Sequence, residues 1–528
     1  MHCVVGSGPS GIACAQALLA RGLTVRMLDV GLTLEKERAR AVEQLSASAP
    51  AGWDPQLVAL LKGKLTSGAK GMPDKLVYGS DFPYREVETQ VPGAFDGVGL
   101  KPSLALGGLS NVWGAAMMPY IDADLTDWPI GTAELSEHYA AALKLTGLAA
   151  RRDDLASIFP LHVEEPGRLE LNSQLRAIWG SLERNKATLT RQGIHYGAAR
   201  VAIRAQVSKE RPGCNYCGMC MYGCPYGYIY NSATTVKELQ KHERFTYQPD
   251  VVVTSCSETR EGVTIFARDR KTGQEMKFEA ERLYLAAGTI PTTKLLLESR
   301  QCYDQTLEMK DSQYFLVPML LGKRVPYFRT EALYTLSQLF LEIFDAEISP
   351  HSIHLQLYPA SELISDAVRK ALGKFGLNFN FLATQLEQRL VVAQGFLHSK
   401  ESSTIATTLR RTGTGAELSL QAQINPQTRS RVRKVAGKLM RNMRNLGAAA
   451  VLPMVEIAEP GRSFHSGGTF PMRKQPGPFE TDILGRPFGW QRIHAVDATI
   501  LPSIPATTIT LSVMANAHRI AWESAKLT

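Results

Sequence analysis

The chain of 528 residues has no apolar run approaching the length of a membrane span; the nearest, Tyr314 to Gly322, is far too short. It has no internal repeat and no low-complexity tract. No apolar leader precedes Cys3-Val4-Val5, which already reads as a buried strand, so a signal or transit peptide is not expected and the cytoplasm is the expected compartment. Nothing resembles a nucleic-acid reader, which leaves the formal net charge of +9 without that partner. Hydrophobic content of 44% and charged content of 21% exclude a disordered chain and suit a soluble globular one. At this length two intertwined domains are expected.

Cysteine is not abundant either. The chain has eight, yet four of them fall in the run Cys214-Asn-Tyr-Cys217-Gly-Met-Cys220-Met-Tyr-Gly-Cys224-Pro225. The spacing C-x2-C-x2-C-x3-C followed by proline is that of a bacterial iron–sulfur loop, because short gaps let successive thiolates converge on one cluster corner. A zinc site joins two separated Cys-x-x-Cys knuckles, and no second knuckle exists. The expectation is a [4Fe-4S] or [3Fe-4S] cluster on Cys214, Cys217, Cys220 and Cys224. A bare or disulfide-bonded loop is the alternative. The fourth ligand stays open between Cys224, a remote Cys256 or Cys302, and none.

Positive charge is concentrated from Thr428 to Leu446, where Arg429, Arg431, Arg433, Lys434, Lys438, Arg441 and Arg444 crowd together. Asn425-Pro426 reads as an N-cap with proline in the first turn, Gly447 as a stop, and Val432, Val435, Leu439 and Leu446 as an apolar stripe. The segment is an amphipathic helix with a basic face, either simply solvated or a dock for an acidic redox protein or anionic surface.

At the N-terminus, Gly6-Ser7-Gly8-Pro9-Ser10-Gly11 lies between a short apolar strand and an Ala-rich helix, Ile12 to Arg21. In that context G-x-G-x-x-G is a dinucleotide fingerprint: Gly6 for the turn, Gly8 for approach of the pyrophosphate, Gly11 for helix–strand packing. The next strand, Leu23 to Leu28, ends at Asp29, placed to hold a ribose hydroxyl. No second fingerprint of this quality supports a separate nicotinamide site. Val251 to Phe278 reads as a small antiparallel sheet with a turn at Lys271-Thr272-Gly273. Leu283 to Thr289 is a buried strand ending in Ala286-Ala287-Gly288, ahead of a helix from Thr292 to Glu298.

The C-terminal blocks Phe464-His465-Ser-Gly-Gly-Thr469, Thr481-Asp482-Ile-Leu-Gly485-Arg486, Ile493-His-Ala-Val-Asp497-Ala-Thr-Ile-Leu-Pro502 and Thr507-Thr508-Ile-Thr510-Leu511, taken with that fingerprint, resemble the glucose–methanol–choline (GMC) flavoprotein oxidoreductases. Leu106-Gly107-Gly108-Leu-Ser110-Asn111-Val112-Trp113-Gly114 is similar to the glycine-rich flavin loop of that family. The resemblance implies FAD held by Gly6, Gly8, Gly11, Asp29, Gly107, Gly108, Ser110, Asn111, Trp113, Gly114, Ala287, Gly288, Asp497 and Thr508. It puts His465 at the active-site histidine and Thr508, at the start of the last helix, where the family usually has His or Asn. Val112 stands where some relatives carry a histidine bonded to FAD, so a non-covalent flavin is expected. The cysteine run is absent from most familiar family oxidases.

The implied fold is α/β. A Rossmann-like FAD-binding domain would be assembled from residues 1–120, 195–300 and 447–528, with the cysteine loop at 211–228. A connecting or lid region would span 121–194, including an acidic loop and helix from Asp122 to Asp154. An α+β substrate domain with an antiparallel sheet would occupy 305–446. Ile353 to Tyr358 alternates, placing His354, Gln356 and Tyr358 on one face, toward pocket or solvent, and Val391 to His398 is a second such segment.

The implied activity is FAD-dependent oxidation of an alcohol to a carbonyl. A sugar, polyol or cyclitol is the first expectation for the substrate and a lipid or sterol alcohol the second. Electrons would leave through the cluster to a one-electron acceptor protein or quinone. The rivals are an oxygen-using oxidase with an empty cysteine loop, and a non-catalytic electron-transfer protein.

Overall fold

The computed structural model describes residues 1–63, 75–206, 212–326, 331–362, 365, 380–413 and 415–527, with residues 380–383 described by backbone alone. Residue 211 of the expected cysteine loop, and 327–330, 363–364, 366–379 and 414 of the expected substrate domain, lie outside the described residues.

Among the described residues the strands form four sheets. One is wholly parallel, in the order Ile493–Ala495, Arg282–Leu285, His2–Val5, Val25–Leu28 and Phe245–Gln248. Its central strands are short apolar runs buried on both faces, as a covered parallel sheet requires. Helix Pro9–Ala20 leaves the first strand and packs on the terminal helix Thr510–Ser524, which in turn packs on helix Thr132–Thr146. That third helix buries Leu135, Tyr139 and Leu143, and the Tyr139 hydroxyl meets that of Ser512 at 2.8 Å. The fold is therefore Rossmann-like where the fingerprint stands.

A seven-stranded antiparallel sheet runs Ala448–Ala450, Tyr314–Leu321, Leu390–Phe396, Ser349–Pro359, Leu339–Asp345 and Ile194–Ala198, with Glu456–Ile457 also paired to Tyr314–Leu321. Alternation gives its second strand two faces. Phe315, Val317, Met319 and Leu321 are buried in a cluster with Val432, Val435 and Leu439 of the basic helix and with Leu175, Ile178 and Leu182 of helix Ser173–Arg184. Tyr314, Leu316, Pro318 and Leu320 point the other way, into a cavity.

The basic helix runs Pro426–Arg441, its Asn425 side chain accepting from Gln427 N–H at 2.9 Å. A break at Asn442 and a short turn Met443–Leu446 follow, and Gly447 ends it at φ +74. The expected small antiparallel sheet is present as Val251–Glu258, Val263–Asp269 and Glu275–Ala280. A further mixed sheet brings strand Thr306–Asp311 beside Ser466–Gly467, pairing Asp311 with Ser466. That pairing positions the His465 block.

Candidate active site

A cavity of about 1410 Å³ lies between the parallel sheet and the inner face of the seven-stranded one. The N-termini of three helices reach it, through Pro9 and Ser10, Thr289 and Ile290, and Thr510. Each brings unpaired amides and a positive dipole end, suited to anionic groups. Gly6, Gly8, Asp29, Gly108, Ser110, Trp113, Gly114, Ala287, Gly288, Asp497 and His465 all line it; Gly11, Gly107, Asn111 and Thr508 do not.

The residues present fit a dinucleotide. Gly6 sits at φ +100, and a Cβ there would stand 2.5 Å from the Ala286 carbonyl oxygen, so only glycine allows the turn. A Cβ on Gly8 would meet nothing within 4 Å, so this backbone is bare toward the cavity, as phosphate approach requires. Asp29 accepts from the Ser7 hydroxyl and from Tyr247 OH at 3.1 Å, and burial lifts its carboxyl to about 6. Ser7 Oγ in turn accepts from Gly107 N–H at 2.9 Å, tying the fingerprint to the glycine-rich loop.

That loop is braced from within. Asn111 donates to the Leu106 and Gly108 carbonyls at 3.0 and 2.7 Å, Ser110 to the Gly107 carbonyl at 2.6 Å, and Trp113 Nε1 to the Tyr230 carbonyl at 3.0 Å. Asn111 therefore shapes the loop rather than facing the cavity. Asp497 does similar work: Oδ2 accepts from Gly288 N–H at 2.9 Å and Thr292 Oγ1 at 2.5 Å, while Oδ1 accepts from Thr499. It pins the strand end at Gly288 against the cavity wall.

His465 follows Phe464, which is held at φ +59, a left-handed conformation that bulky residues rarely adopt and that collects at functional sites. The block is clamped by a buried acid that local sequence does not reveal. Asp311 Oδ1 accepts from Ser463 Oγ at 3.0 Å and Ser466 Oγ at 2.7 Å, on either side of the histidine. Ser463 Oγ accepts from the His465 N–H at 3.0 Å, and the His465 carbonyl accepts from Ser312 N–H at 3.0 Å. Phe396 stacks on the imidazole, ring centroids 4.9 Å apart.

Nδ1 of His465 is buried without a hydrogen-bond partner, and the residue lines the cavity. Burial, with the neighbouring His354 adding to it, pushes the imidazole down to about 3, so it rests neutral.

The alternating strand resolves its own question. His354 and Gln356 are buried inward and Tyr358 reaches the cavity. Glu342 Oε1 accepts from His354 Nδ1 at 2.5 Å, His354 Nε2 accepts from Gln356 at 3.1 Å, and Gln356 Oε1 accepts from Tyr358 OH at 3.0 Å. Tyr358, its proton committed, offers only lone pairs to the cavity.

Thr508 is placed otherwise. Its hydroxyl accepts from Met118 N–H at 3.0 Å, and the neighbouring Ile509 and Thr510 form the wall. Thr508→Val should leave that buried amide unpaired and cost about 1–3 kcal/mol in denaturant unfolding, with flavin reduction little changed. A large rate loss at unchanged stability would instead put the hydroxyl in the chemistry.

All eight cysteines are free thiols. Cys214, Cys217, Cys220 and Cys224 act on one another electrostatically, while Cys256 lies beside Ser299 and Cys302 beside the Arg300 carbonyl. Tyr228 N–H donates to Cys224 Sγ at 3.3 Å and Thr335 N–H to Cys220 Sγ at 3.5 Å. Backbone donors aimed at sulfur suit a cluster, whose potential they tune. Burial drives Cys214 and Cys217 up to about 12, so without a metal these thiols stay protonated.

The loop abuts the cavity: Met221, Tyr222 and Thr335 line it. Lys75, missed in the sequence, bridges the two. Its ammonium donates to the Trp113 carbonyl at 2.6 Å; burial lowers its pKa to about 8, an effect that Cys220 partly offsets.

Residues 103–301 match the family model described as GMC oxidoreductase. The 6'''-hydroxyparomomycin C oxidase of Streptomyces lividus is 22% identical over 98% of this chain and 90% of its own length. The crystal structure of pyridoxine 4-oxidase from Mesorbium loti matches with a TM-score of 0.59 at 15% identity, covering 99% of this chain and 98% of that one. These likenesses agree with the family resemblance drawn from the glycine and histidine blocks, and with the α/β fold it implied. No helix among the described residues is long and apolar enough to cross a membrane.

Proposed function

We propose that this protein is a GMC oxidoreductase that oxidises an alcohol to a carbonyl. The observation that carries the reading is the single cavity shared by the dinucleotide fingerprint, the glycine-rich loop and His465 with its neutral imidazole. Bound FAD supplies the hydride acceptor in this chemistry. Gly6, Gly8, Asp29 and the 106–114 loop are the residues proposed to hold it, and Asp497 to keep the Ala287-Gly288 edge in place.

His465 Nε2 takes the hydroxyl proton as the carbinol hydride leaves, a role suited to an imidazole already deprotonated, stacked on Phe396 and carried on a backbone that Ser463 and Asp311 clamp. Negative charge entering the cavity raises the His465 pKa and lets the proton rest there for the turnover.

The cysteine run is proposed to hold an iron–sulfur cluster on Cys214, Cys217, Cys220 and Cys224, which supplies one-electron transfer to an external acceptor. The N–H donors to Cys220 and Cys224 and the position of the loop against the cavity support this. The oxidase names of both relatives favour a second reading, in which dioxygen is the acceptor and the loop is structural. Peroxide formation, compared with reduction of a one-electron dye, separates the two.

The flavin is expected to be non-covalent, since Val112 offers no nucleophile to the cavity it lines. Acid precipitation should release the yellow chromophore into the supernatant. Colour retained in the pellet would contradict the non-covalent assignment, and protein without flavin would overturn the proposed function.

A further inference from the structure

The geometry points to a substrate that is an apolar alcohol rather than a polyol, an inference that rests on the alcohol-oxidising function proposed above. The cavity floor is the inner face of the seven-stranded sheet, and its register sets out a gradient. Along Tyr314–Leu321 the inward residues are Tyr314, Leu316, Pro318 and Leu320, and their partners on Leu390–Phe396 are Phe396, Gln394, Val392 and Leu390.

Polar groups gather at one end. Tyr314 packs at a tilt against Phe396, which stacks on His465; Gln394 lines the same end, Glu456 pairs in register with Leu316, and Tyr358, opposite Val392, stands where the polar end gives way. From Pro318 onward the floor is Pro318, Val392, Leu320 and Leu390. Val451, whose N–H donates to the Pro318 carbonyl at 2.8 Å, and Met454 close its side. Tyr314 to Leu320 spans roughly 20 Å of extended strand, and the apolar strip from Pro318 to Leu320 takes roughly 7 Å of it, room for a short chain or a ring behind the reacting carbon. Met454, 52% exposed, stands where the strip meets solvent.

The strip decides between the two substrate classes the sequence left in order. A polyol laid along it would give up water for Pro318, Val392 and Leu320, none of which can donate or accept through its side chain. Each unpaired hydroxyl would weaken binding by roughly tenfold or more. A methylene on the same strip gains about fourfold in affinity, the equivalent of about 0.8 kcal/mol. The first expectation, a sugar or cyclitol, gives way to the second.

The test uses flavin-loaded protein under anaerobic conditions, with anilinonaphthalene sulfonate as the displaceable apolar dye. Straight-chain primary alcohols of increasing length, glucose and inositol are the competitors, and flavin bleaching is read in the same samples. Displacement should tighten roughly fourfold per methylene and level off once the chain passes Leu320. Glucose and inositol should not compete.

Leu320→Ser should bring the plateau to shorter chains and leave short alcohols unaffected, whereas Leu316→Ser should weaken the whole series. Circular dichroism confirms that both variants are folded, and the parent series decides if either is not. Affinity independent of chain length, or tight competition by a polyol, would overturn the inference. Chain-length dependence without flavin bleaching would keep the binding preference and remove the redox function instead.

Discussion

Replacing His465 by alanine should leave FAD content unchanged and slow anaerobic flavin reduction by about 10² to 10⁴-fold, the usual worth of a positioned acid–base group. The backbone of His465 is held through Ser463 and Ser312 and its ring lies on Phe396, so alanine takes out a fixed group and not a mobile one. Equal rates in variant and parent would take His465 out of the chemistry, and loss of flavin would make it structural. The pH profile carries a second signature. Burial depresses this pKa from its ordinary 6.5 to about 3, so the proton-accepting form persists as pH falls through 6.5. The rate of flavin reduction should therefore lack a loss centred near 6.5 and fall only in more acidic solution. Asp311→Asn, which keeps an acceptor for Ser463 and Ser466, should be milder than Asp311→Ala, which frees both serines and the loop between them.

The second large effect is expected at the cysteine loop. Cys217→Ser should remove or convert the cluster, while substrate still reduces the flavin and transfer to a one-electron acceptor fails. If the cluster only holds the loop, flavin content and folding should fall together, because the loop also packs Met219 and Tyr222 against helices Lys36–Ser46 and Pro55–Lys62. Iron and sulfide absent from anaerobically prepared parent protein would defeat both versions and leave an oxygen-using enzyme with a bare loop. Lys75→Met should keep the cluster ligands but remove a buried cation between Cys220 and Trp113, and so lower the cluster potential.

What the chain disclosed in advance was local. The turn at Gly6, the acid at Asp29 and the Asn425–Gly447 helix are written in contiguous residues whose backbone chemistry admits few alternatives. The distant clamps were not legible. Asp311 precedes Ser463 by 152 positions and looks like the end of an ordinary strand; only the pairing with Ser466 makes it a clamp on the histidine. Thr508 shows the opposite failure. Its position near the last helix is right, but which side chain of Thr508, Ile509 and Thr510 faces inward depends on how the segment leaves Pro505, and the Met118 amide takes the Thr508 hydroxyl. The polar face of His354, Gln356 and Tyr358 was visible as alternation, yet pocket and solvent give the same period. Burial and the partner Glu342 decide it. The apolar strip was hidden for a related reason, since Tyr314–Leu321 is apolar on both faces and its pattern does not separate the core side from the cavity side.

The most direct test of the central claim is the visible flavin spectrum of anaerobic protein during titration with a long-chain primary alcohol. The band should bleach in the parent, recover when an acceptor is admitted, and bleach far more slowly in His465→Ala. Flavin that stays oxidised with every alcohol offered, in folded and FAD-loaded protein, would contradict alcohol oxidation as the function of this site.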